Sequence, residues 1–169
     1  MKEKYAYHDY SKNYKLLFKE EKKNLKTFLK GVKIEHVGST AIPGMGGKKV
    51  IDIIVGVKKK FGNEKELLKM NGYEFKESGG TAQRLFFKKI IAEQLYHLHL
   101  VVYDELDWLQ TTAFRDYLIE NPSQIKEYEK VKKEAVKVAK GSGEMYRNHK
   151  KNYLDKVTKI ALRQSAKLY

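Results

Sequence analysis

The feature that most constrains the fold is the run VIDIIVGV, residues 50–57, which is apolar except for one aspartate. This length suits a buried β-strand and is far too short to cross a bilayer as a helix. Asp52 lies inside the run, between two isoleucines. A carboxylate buried without a partner costs on the order of several kcal/mol, so Asp52 requires a cation or strong hydrogen-bond donors. The run therefore predicts a strand of the sheet core that carries either a functional site or an ion pair.

The rest of the chain predicts the element order α-β-β-α-β-β-β-α-α-α. Apolar residues at helical spacing predict helices over residues 12–30 and 61–72, and alternating or apolar segments predict four further strands. Beyond Asp104 the pattern is helical, with breaks near Pro122 and at the Gly-Ser-Gly of residues 141–143. The predicted fold class is α/β, in the α+β sense of a mixed sheet with flanking helices and a C-terminal helical addition. Without repeats or linkers, residues 1–169 are predicted to form one domain. The four further strands are predicted at 32–37, 73–77, 84–90 and 95–103.

Composition narrows the classes of partner. Lys and Arg number 35 against 21 Asp and Glu, a net charge of +14, which favours a polyanion such as a nucleotide or nucleic acid. Lysines occur in every predicted helix, so a solvated basic surface explains the charge as well. The chain has no cysteine, which excludes disulfides and thiolate metal sites and predicts a reducing, cytoplasmic setting. No segment has the length of a membrane span, so no membrane partner is predicted.

A Gly-rich segment, residues 38–47, precedes the strand that carries the aspartate. Gly38 can turn backbone N–H groups toward an anion, and the hydroxyls of Ser39 and Thr40 add donors. Lys48 follows the segment and is a further candidate for binding a phosphate. The small residues predict a mobile loop that a ligand orders. The alternative for the Gly-Ser pair alone is an ordinary turn.

Three polar side chains predict a second group on the sheet. His97 and His99 alternate along the segment 95–103, so they share one face. Together with Asp52 they form a candidate set of two histidines and one carboxylate for a metal ion or for proton transfer. The alternative is a pair of hydrogen-bonded histidines at the sheet face. Arg84, on another predicted strand, is expected either to clamp a phosphate or to pair with Asp52.

Residues outside these groups are predicted to support them. His36 lies two residues before Gly38 and is expected to orient the loop. Arg115 is predicted either to link the helical part to the site or to form a pair on the helix surface. Lys150 lies one helical turn from Tyr146 and can reach a phosphate, whereas Tyr146 itself is predicted to be a core residue.

These motifs resemble the nucleotidyltransferase superfamily typified by DNA polymerase beta, in which a Gly-Ser pair precedes a strand with the pattern Asp-hydrophobic-Asp. More closely, the sequence resembles the GrpB family over almost its whole length. The resemblance implies a nucleotidyltransferase-like fold, a nucleotide or related phosphate-bearing ligand, and Mg²⁺ or another divalent metal if nucleotidyl transfer occurs. It is carried by IEHVGSTAIPG, VIDIIVGV, HLHLVV, FRDYLIENPSQIKEYEKVKKEA and MYRNHKKNYL.

The strand departs from the superfamily pattern in one respect. Val50 and Ile54 occupy the alternate positions on either side of Asp52, so only one carboxylate is present, and one carboxylate holds two metal ions poorly. Three hypotheses stay open: a phosphate-binding nucleotidyltransferase-like protein, a non-catalytic nucleotide- or RNA-binding module on a degenerate fold of that type, and a transition-metal enzyme that uses the histidines. The predicted catalytic and metal residues are Asp52, His97 and His99; the predicted phosphate- or nucleotide-binding residues are Gly38, Ser39, Thr40, Lys48, Arg84, Arg115 and Lys150.

Overall fold

The computed structural model describes residues 6–166, in which five helices surround one five-stranded sheet. The predicted element order is confirmed, with two additional 3₁₀ turns at Ser39–Ala41 and Glu77–Gly79. The second of these turns ends β3 after two residues, so β3 is shorter than the predicted segment 73–77. The elements are α1 (Asn13–Phe28), β1 (Lys33–Val37), β2 (Val50–Val57), α2 (Glu64–Met70), β3 (Glu74–Phe75), β4 (Arg84–Ile91), β5 (Gln94–Val102), α3 (Leu106–Glu120), α4 (Pro122–Ala139) and α5 (Gly143–Ala166).

The strands lie in the order β1-β2-β5-β4-β3. The pair β2–β5 is parallel and the other three pairs are antiparallel, so the sheet is mixed as predicted. In the parallel pair Asp52 lies opposite His97, and Ile54 lies opposite His99. Because alternate residues of a strand share one face, the sheet register places the aspartate and both histidines on the same side.

The two faces of the sheet have different partners. The main core lies on the face of Ile51, Ile53 and Leu98, which packs with buried side chains of α1 and α2. On the opposite face Trp108 of α3 packs in a smaller buried cluster with Val37, Ile54 and Val101. Gly56 makes this contact possible, because a Cβ at that position would lie 2.8 Å from the Trp108 ring. The polar site therefore shares its face with the C-terminal helices.

The loop between β1 and β2 is anchored to those helices by its own apolar residues. Ile42 and Met45 are fully buried and cluster with Leu118 of α3 and Tyr128 of α4. This packing holds the Gly-rich segment between the sheet and the helical part. Within residues 6–166, no helix combines the length and the apolar character that crossing a membrane requires.

Candidate functional site

Asp52, His97 and His99 meet on one face of the sheet, as the sequence predicts. Nδ1 of His97 lies 3.5 Å from Asp52 Oδ1, and Nε2 of His99 lies 3.9 Å from the same oxygen. These separations are long for hydrogen bonds, so the attraction is mainly electrostatic. The Asp52 side chain keeps 26% of its surface exposed, whereas the histidine side chains keep 17% and 14%.

The carboxyl of Asp52 is held in its ionised form. Burial raises its pKa, but His97 and His99 lower it by more, and the pKa settles well below the usual range. Asp52 is therefore an anion throughout the physiological pH range. The two histidines thus supply the electrostatic compensation that a carboxylate in an apolar strand requires.

Arg84 is linked to Asp52 indirectly, because it hydrogen-bonds to His99, which faces Asp52. Nε of Arg84 donates to Nδ1 of His99 over 3.1 Å, and Nη1 lies 3.8 Å from Asp107 of α3. Among the described residues no direct ion pair joins Arg84 to Asp52, which corrects that alternative for the arginine. Burial and the nearby guanidinium lower the pKa of His99, although Asp52 opposes the shift, so the imidazole is neutral.

The donor set does not fit a metal ion. Because Nδ1 of His99 accepts a hydrogen bond, its proton sits on Nε2 and points toward Asp52, where a metal would need a lone pair. Val50 and Ile54 supply no second carboxylate on the strand. Within residues 6–166, no three His, Asp or Glu side chains are grouped to hold a metal ion. The metal set of Asp52, His97 and His99, and with it Mg²⁺, stays a prediction that the donor geometry does not favour.

Gly38 makes room for the carboxylate. Its φ is +72°, in the region that favours glycine, and a Cβ there would lie 2.4 Å from Asp52 Oδ2. The sequence explains Gly38 only as a turn that exposes backbone amides. The structure adds a steric reason for glycine, because any side chain would displace the aspartate.

Two lysines approach this site across one aromatic ring. Nζ of Lys48 lies 4.8 Å, and Nζ of Lys150 4.4 Å, from the ring centroid of Tyr146, which is buried as predicted. Burial lowers the pKa of both lysines, that of Lys150 to about 8. Lys48 lowers the pKa of Lys150 further, Arg147 lowers the pKa of both lysines, and Asp52 opposes both shifts. The two ammonium groups and the carboxylate therefore share one electrostatic environment, as the phosphate-binding prediction requires.

Lys132 of α4, the third lysine of the group, is not among the site residues that the sequence predicts. Only 1% of its surface is exposed, and Nζ donates to Ser39 Oγ over 3.0 Å and to the carbonyl oxygen of Gly46. Burial lowers the pKa of Lys132 to about 7; Lys150 lowers it further and Glu129 opposes the shift. A signal was present, because Lys132 lies one helical turn after Tyr128, on the apolar face of its helix.

The loop around Gly46 is hydrogen-bonded to other parts of the chain, which does not favour the predicted mobile segment. Glu129 Oε1 accepts hydrogen bonds from Gly46 N over 2.7 Å and from the Tyr7 hydroxyl over 2.8 Å. The backbone N–H and C=O of Gly47 both pair with His8. Glycine permits this packing, because a Cβ on Gly46 would lie 2.2 Å from the Tyr7 hydroxyl oxygen. The loop presents a preformed surface.

Thr40 contacts the scaffold, and its role as a phosphate ligand stays a prediction that these contacts do not favour. It is buried, and Oγ1 donates to the carbonyl oxygen of Val50 over 2.9 Å. His36 Nε2 lies 2.9 Å from the same hydroxyl and must donate to it, because the only hydroxyl hydrogen is already used. Burial lowers the pKa of His36 to about 4, consistent with a neutral ring. The prediction that His36 orients the loop is confirmed.

Arg115 also serves the scaffold rather than a ligand. Its guanidinium contacts Glu35 over 2.5 Å, Asp116 over 2.8 Å and the carbonyl oxygen of His36 over 2.9 Å. Two carboxylates already neutralise the positive charge of Arg115, so its guanidinium has little charge left to attract a phosphate. Arg115 thus joins α3 to β1, in agreement with the predicted link.

The remaining candidates are linked by two close approaches and by longer-range electrostatics. Gly38 lies against Asp52, and Lys132 donates to Ser39, whereas Asp52 attracts Lys48 and Lys150 and Lys150 repels Lys132. Because Ser39 Oγ accepts from Lys132, its own hydroxyl hydrogen is free to donate to an anion. This arrangement can bind a phosphate group beside a fixed carboxylate.

Comparison with known proteins places the chain in a family. The family model described as GrpB protein matches residues 6–160. The glutamate-rich protein GrpB of Alkalihalophilus pseudofirmus is 37% identical over 158 residues, which cover 88% of this chain and 90% of that protein. UPF0157 protein YqkA of Bacillus subtilis is 33% identical over 129 residues, covering 74% of this chain but 38% of YqkA.

The fold agrees with a solved structure. The conserved protein GrpB from Enterococcus faecalis superposes with a TM-score of 0.82 at 31% sequence identity, covering 95% of this chain and 99% of that one. The predicted class, a mixed sheet with flanking and C-terminal helices, is thereby confirmed. The chain belongs to the GrpB family.

Proposed function

We propose that this protein binds a nucleotide or a related phosphate-bearing small molecule between the Gly38–Ser39 turn and the sheet face of Asp52. The observation that carries the proposal is a group of three partly or fully buried lysines: Lys132 contacts Ser39 of this turn, and Lys48 and Lys150 lie over the ring of Tyr146. Burying ammonium groups is unfavourable unless anions compensate them.

The local balance of charge supports an anionic ligand. Within residues 6–166, Nζ of Lys132 contacts a hydroxyl, a carbonyl and the Tyr128 ring, and no carboxylate lies within ion-pair distance of it. Asp52 is the acidic group that attracts both Lys48 and Lys150. A bound phosphate would supply the missing negative charge and accept hydrogen bonds from the lysines and from Ser39.

Nucleotidyl transfer is the activity that the resemblance to nucleotidyltransferases suggests. The turn before β2 touches Asp52, the arrangement expected of that superfamily's motif. Val50 and Ile54, the alternate residues on either side of Asp52, count against nucleotidyl transfer, since that reaction usually uses paired carboxylates. We therefore place phosphate binding first and treat transfer as an activity to assay with any nucleotide that binds.

The test is a thermal-shift and calorimetric panel of nucleoside phosphates, sugar phosphates and inorganic pyrophosphate. At least one should raise the Tm above the shift given by sodium sulfate at equal ionic strength. Lys150→Met should weaken that binding by about tenfold or more, because a charge-assisted hydrogen bond contributes about 1.5–3 kcal/mol. Lys151→Met is the matched control, since this neighbour is exposed and pairs with Asp155. If no phosphate compound exceeds the sulfate shift, the proposal fails.

A nucleic-acid-binding module is the second candidate, favoured by the net charge of +14. Binding to phosphates along a nucleic acid falls steeply with salt, because each neutralised phosphate releases counterions. Titration of single-stranded RNA at several salt concentrations separates the two candidates. A steep salt slope with equal affinity in wild type and Lys150→Met would favour this second function.

A further inference from the structure

We infer that Lys48 and Lys150 take the place of a divalent metal ion, so that the site binds phosphate without metal. The inference rests on the proposed phosphate binding and specifies how the ligand's charge is neutralised. It follows from two independent features, the contacts of the Asp52 carboxylate and the placement of the two ammonium groups.

The Asp52 carboxylate has protein groups beside both oxygens. Oδ1 faces His97 and His99, and the latter directs an N–H toward it. Oδ2 lies against the backbone of Gly38, close enough that a Cβ there would be 2.4 Å away. A metal ion bridging protein and phosphate needs open carboxylate oxygens, and two-metal sites use several carboxylates. Asp52 is a single carboxylate on its strand, and the N–H of His99 points to the side of Oδ1 where a metal ion would bind.

The lysines supply the charge that a metal would otherwise bring. Lys48 lies four residues before Asp52 and Lys150 comes from α5, so two separate elements deliver them to the Tyr146 ring. Two ammonium groups carry the same charge as one Mg²⁺. Asp52 attracts both ammonium groups, and Lys48 repels Lys150. The Tyr146 ring thus gathers two cations that Asp52 attracts, and in this inference they neutralise the phosphate where a catalytic aspartate would use metal ions.

This arrangement has a consequence for the ligand. Mg²⁺ neutralises part of the charge of a nucleoside triphosphate, so a site that supplies its own cations should prefer the metal-free anion. Free ATP or pyrophosphate should accordingly bind at least as tightly as its magnesium complex. A site that depends on metal would show the opposite order.

The experiment is isothermal titration calorimetry of the full chain with ATP, inorganic pyrophosphate and glucose 6-phosphate, each in EDTA and again in excess Mg²⁺. We expect binding in EDTA to be equal to or tighter than binding in Mg²⁺. Lys48→Met and Lys150→Met should each weaken binding in EDTA by about tenfold or more. The exposed neighbours provide the controls Lys49→Met and Lys151→Met, which should bind like the wild type.

The outcomes separate this inference from the proposed function. Binding that appears only with Mg²⁺, or that is unchanged in Lys48→Met and Lys150→Met, would overturn the inference that these lysines replace a metal ion. The proposal that the protein binds phosphate would still stand. No binding of any of the three compounds in either buffer counts against phosphate binding itself. Lys150→Arg keeps the positive charge, so retained binding in EDTA shows that charge, and not damage to the fold, explains the loss in Lys150→Met.

Discussion

Nε of Arg84 donates a hydrogen bond to Nδ1 of His99 over 3.1 Å. A guanidinium group has only donors, so Nδ1 must accept and the imidazole proton must sit on Nε2. That proton faces Asp52 Oδ1, 3.9 Å from Nε2. One arginine on β4 thus sets the tautomer of a histidine on β5 and, through it, the environment of a carboxylate on β2.

Replacing Arg84 should change the tautomer populations of His99. In the wild type, long-range ¹⁵N–¹H NMR spectra should show His99 protonated at Nε2, whereas in Arg84→Met the Nδ1–H form should become populated because Nδ1 loses its donor. Asp107→Asn removes the other partner of Arg84 but keeps the donor in place, so it should retain the wild-type tautomer. A wild-type spectrum showing Nδ1–H for His99 would contradict this account and reopen Nε2 as a metal ligand.

Gly38→Ala should destabilise the fold more than a glycine replacement that tests backbone strain alone. Gly31 has a nearly equal φ, +68° against +72°, and nothing lies near its missing Cβ. We expect Gly31→Ala to cost about 1–2 kcal/mol, the cost of the left-handed conformation. Gly38→Ala should cost about 3 kcal/mol or more in urea unfolding, because the new Cβ also collides with Asp52.

A double-mutant cycle isolates the contact between these two residues. In an Asp52→Ala background the carboxylate is gone, so Gly38→Ala should cost less than it does in the wild type. Equal costs in both backgrounds would show that only backbone strain requires the glycine.

The ionisation of Asp52 should affect how the free energy of unfolding falls at acid pH. Its pKa is lower in the folded protein than in the unfolded chain, so the folded state binds fewer protons as the pH falls. The stabilisation of the fold by ionised Asp52 is complete above about pH 4. Below that pH it falls by up to about 1.4 kcal/mol per pH unit. Urea unfolding between pH 3 and 6 should therefore show a smaller acid loss in Asp52→Asn. Asp155→Asn, at an exposed carboxylate, should keep the wild-type profile.

The sequence predicts the elements well because their signals are local. Helical periodicity and the strand-length apolar runs indicate every element of the sheet and of the C-terminal helices. The alternation of His97 and His99, with Asp52 inside an apolar strand, correctly predicts that the three meet once the strands pair. Such a prediction needs only the period of a strand and the neighbouring position of two strands.

The predictions fail where a side chain's partner comes from a distant element. The hydroxyl of Thr40 looks available in the sequence, but the loop folds it against Val50. Arg115 looks like an anion ligand until Glu35 on β1 neutralises it. Lys132, separated from Ser39 by 93 positions, becomes a site residue only when α4 packs on the loop. Tertiary packing decides these contacts, and a single sequence does not specify it.

Lys132 should give the protein an unusual stability profile at alkaline pH. Burial lowers its pKa from 10.5 to about 7, so between these values the unfolded chain binds more protons than the folded one. Below about pH 7 the buried ammonium group of Lys132 destabilises the fold by its full amount. This destabilisation decreases as the pH rises toward 10.5. The free energy of unfolding should therefore gain up to about 1.4 kcal/mol per pH unit in this window from Lys132 alone.

Lys132→Met keeps most of the buried stem and removes the titrating group. Urea unfolding at several pH values from 7 to 9.5 should show a shallower rise in this variant than in the wild type. Lys133→Met is the matched control, because this neighbour is exposed on the same helix and should retain the wild-type slope. Equal slopes in Lys132→Met and the wild type would mean that the ammonium stays protonated in the folded state. Its contacts with Ser39 and Gly46 would then offset the burial without any bound anion.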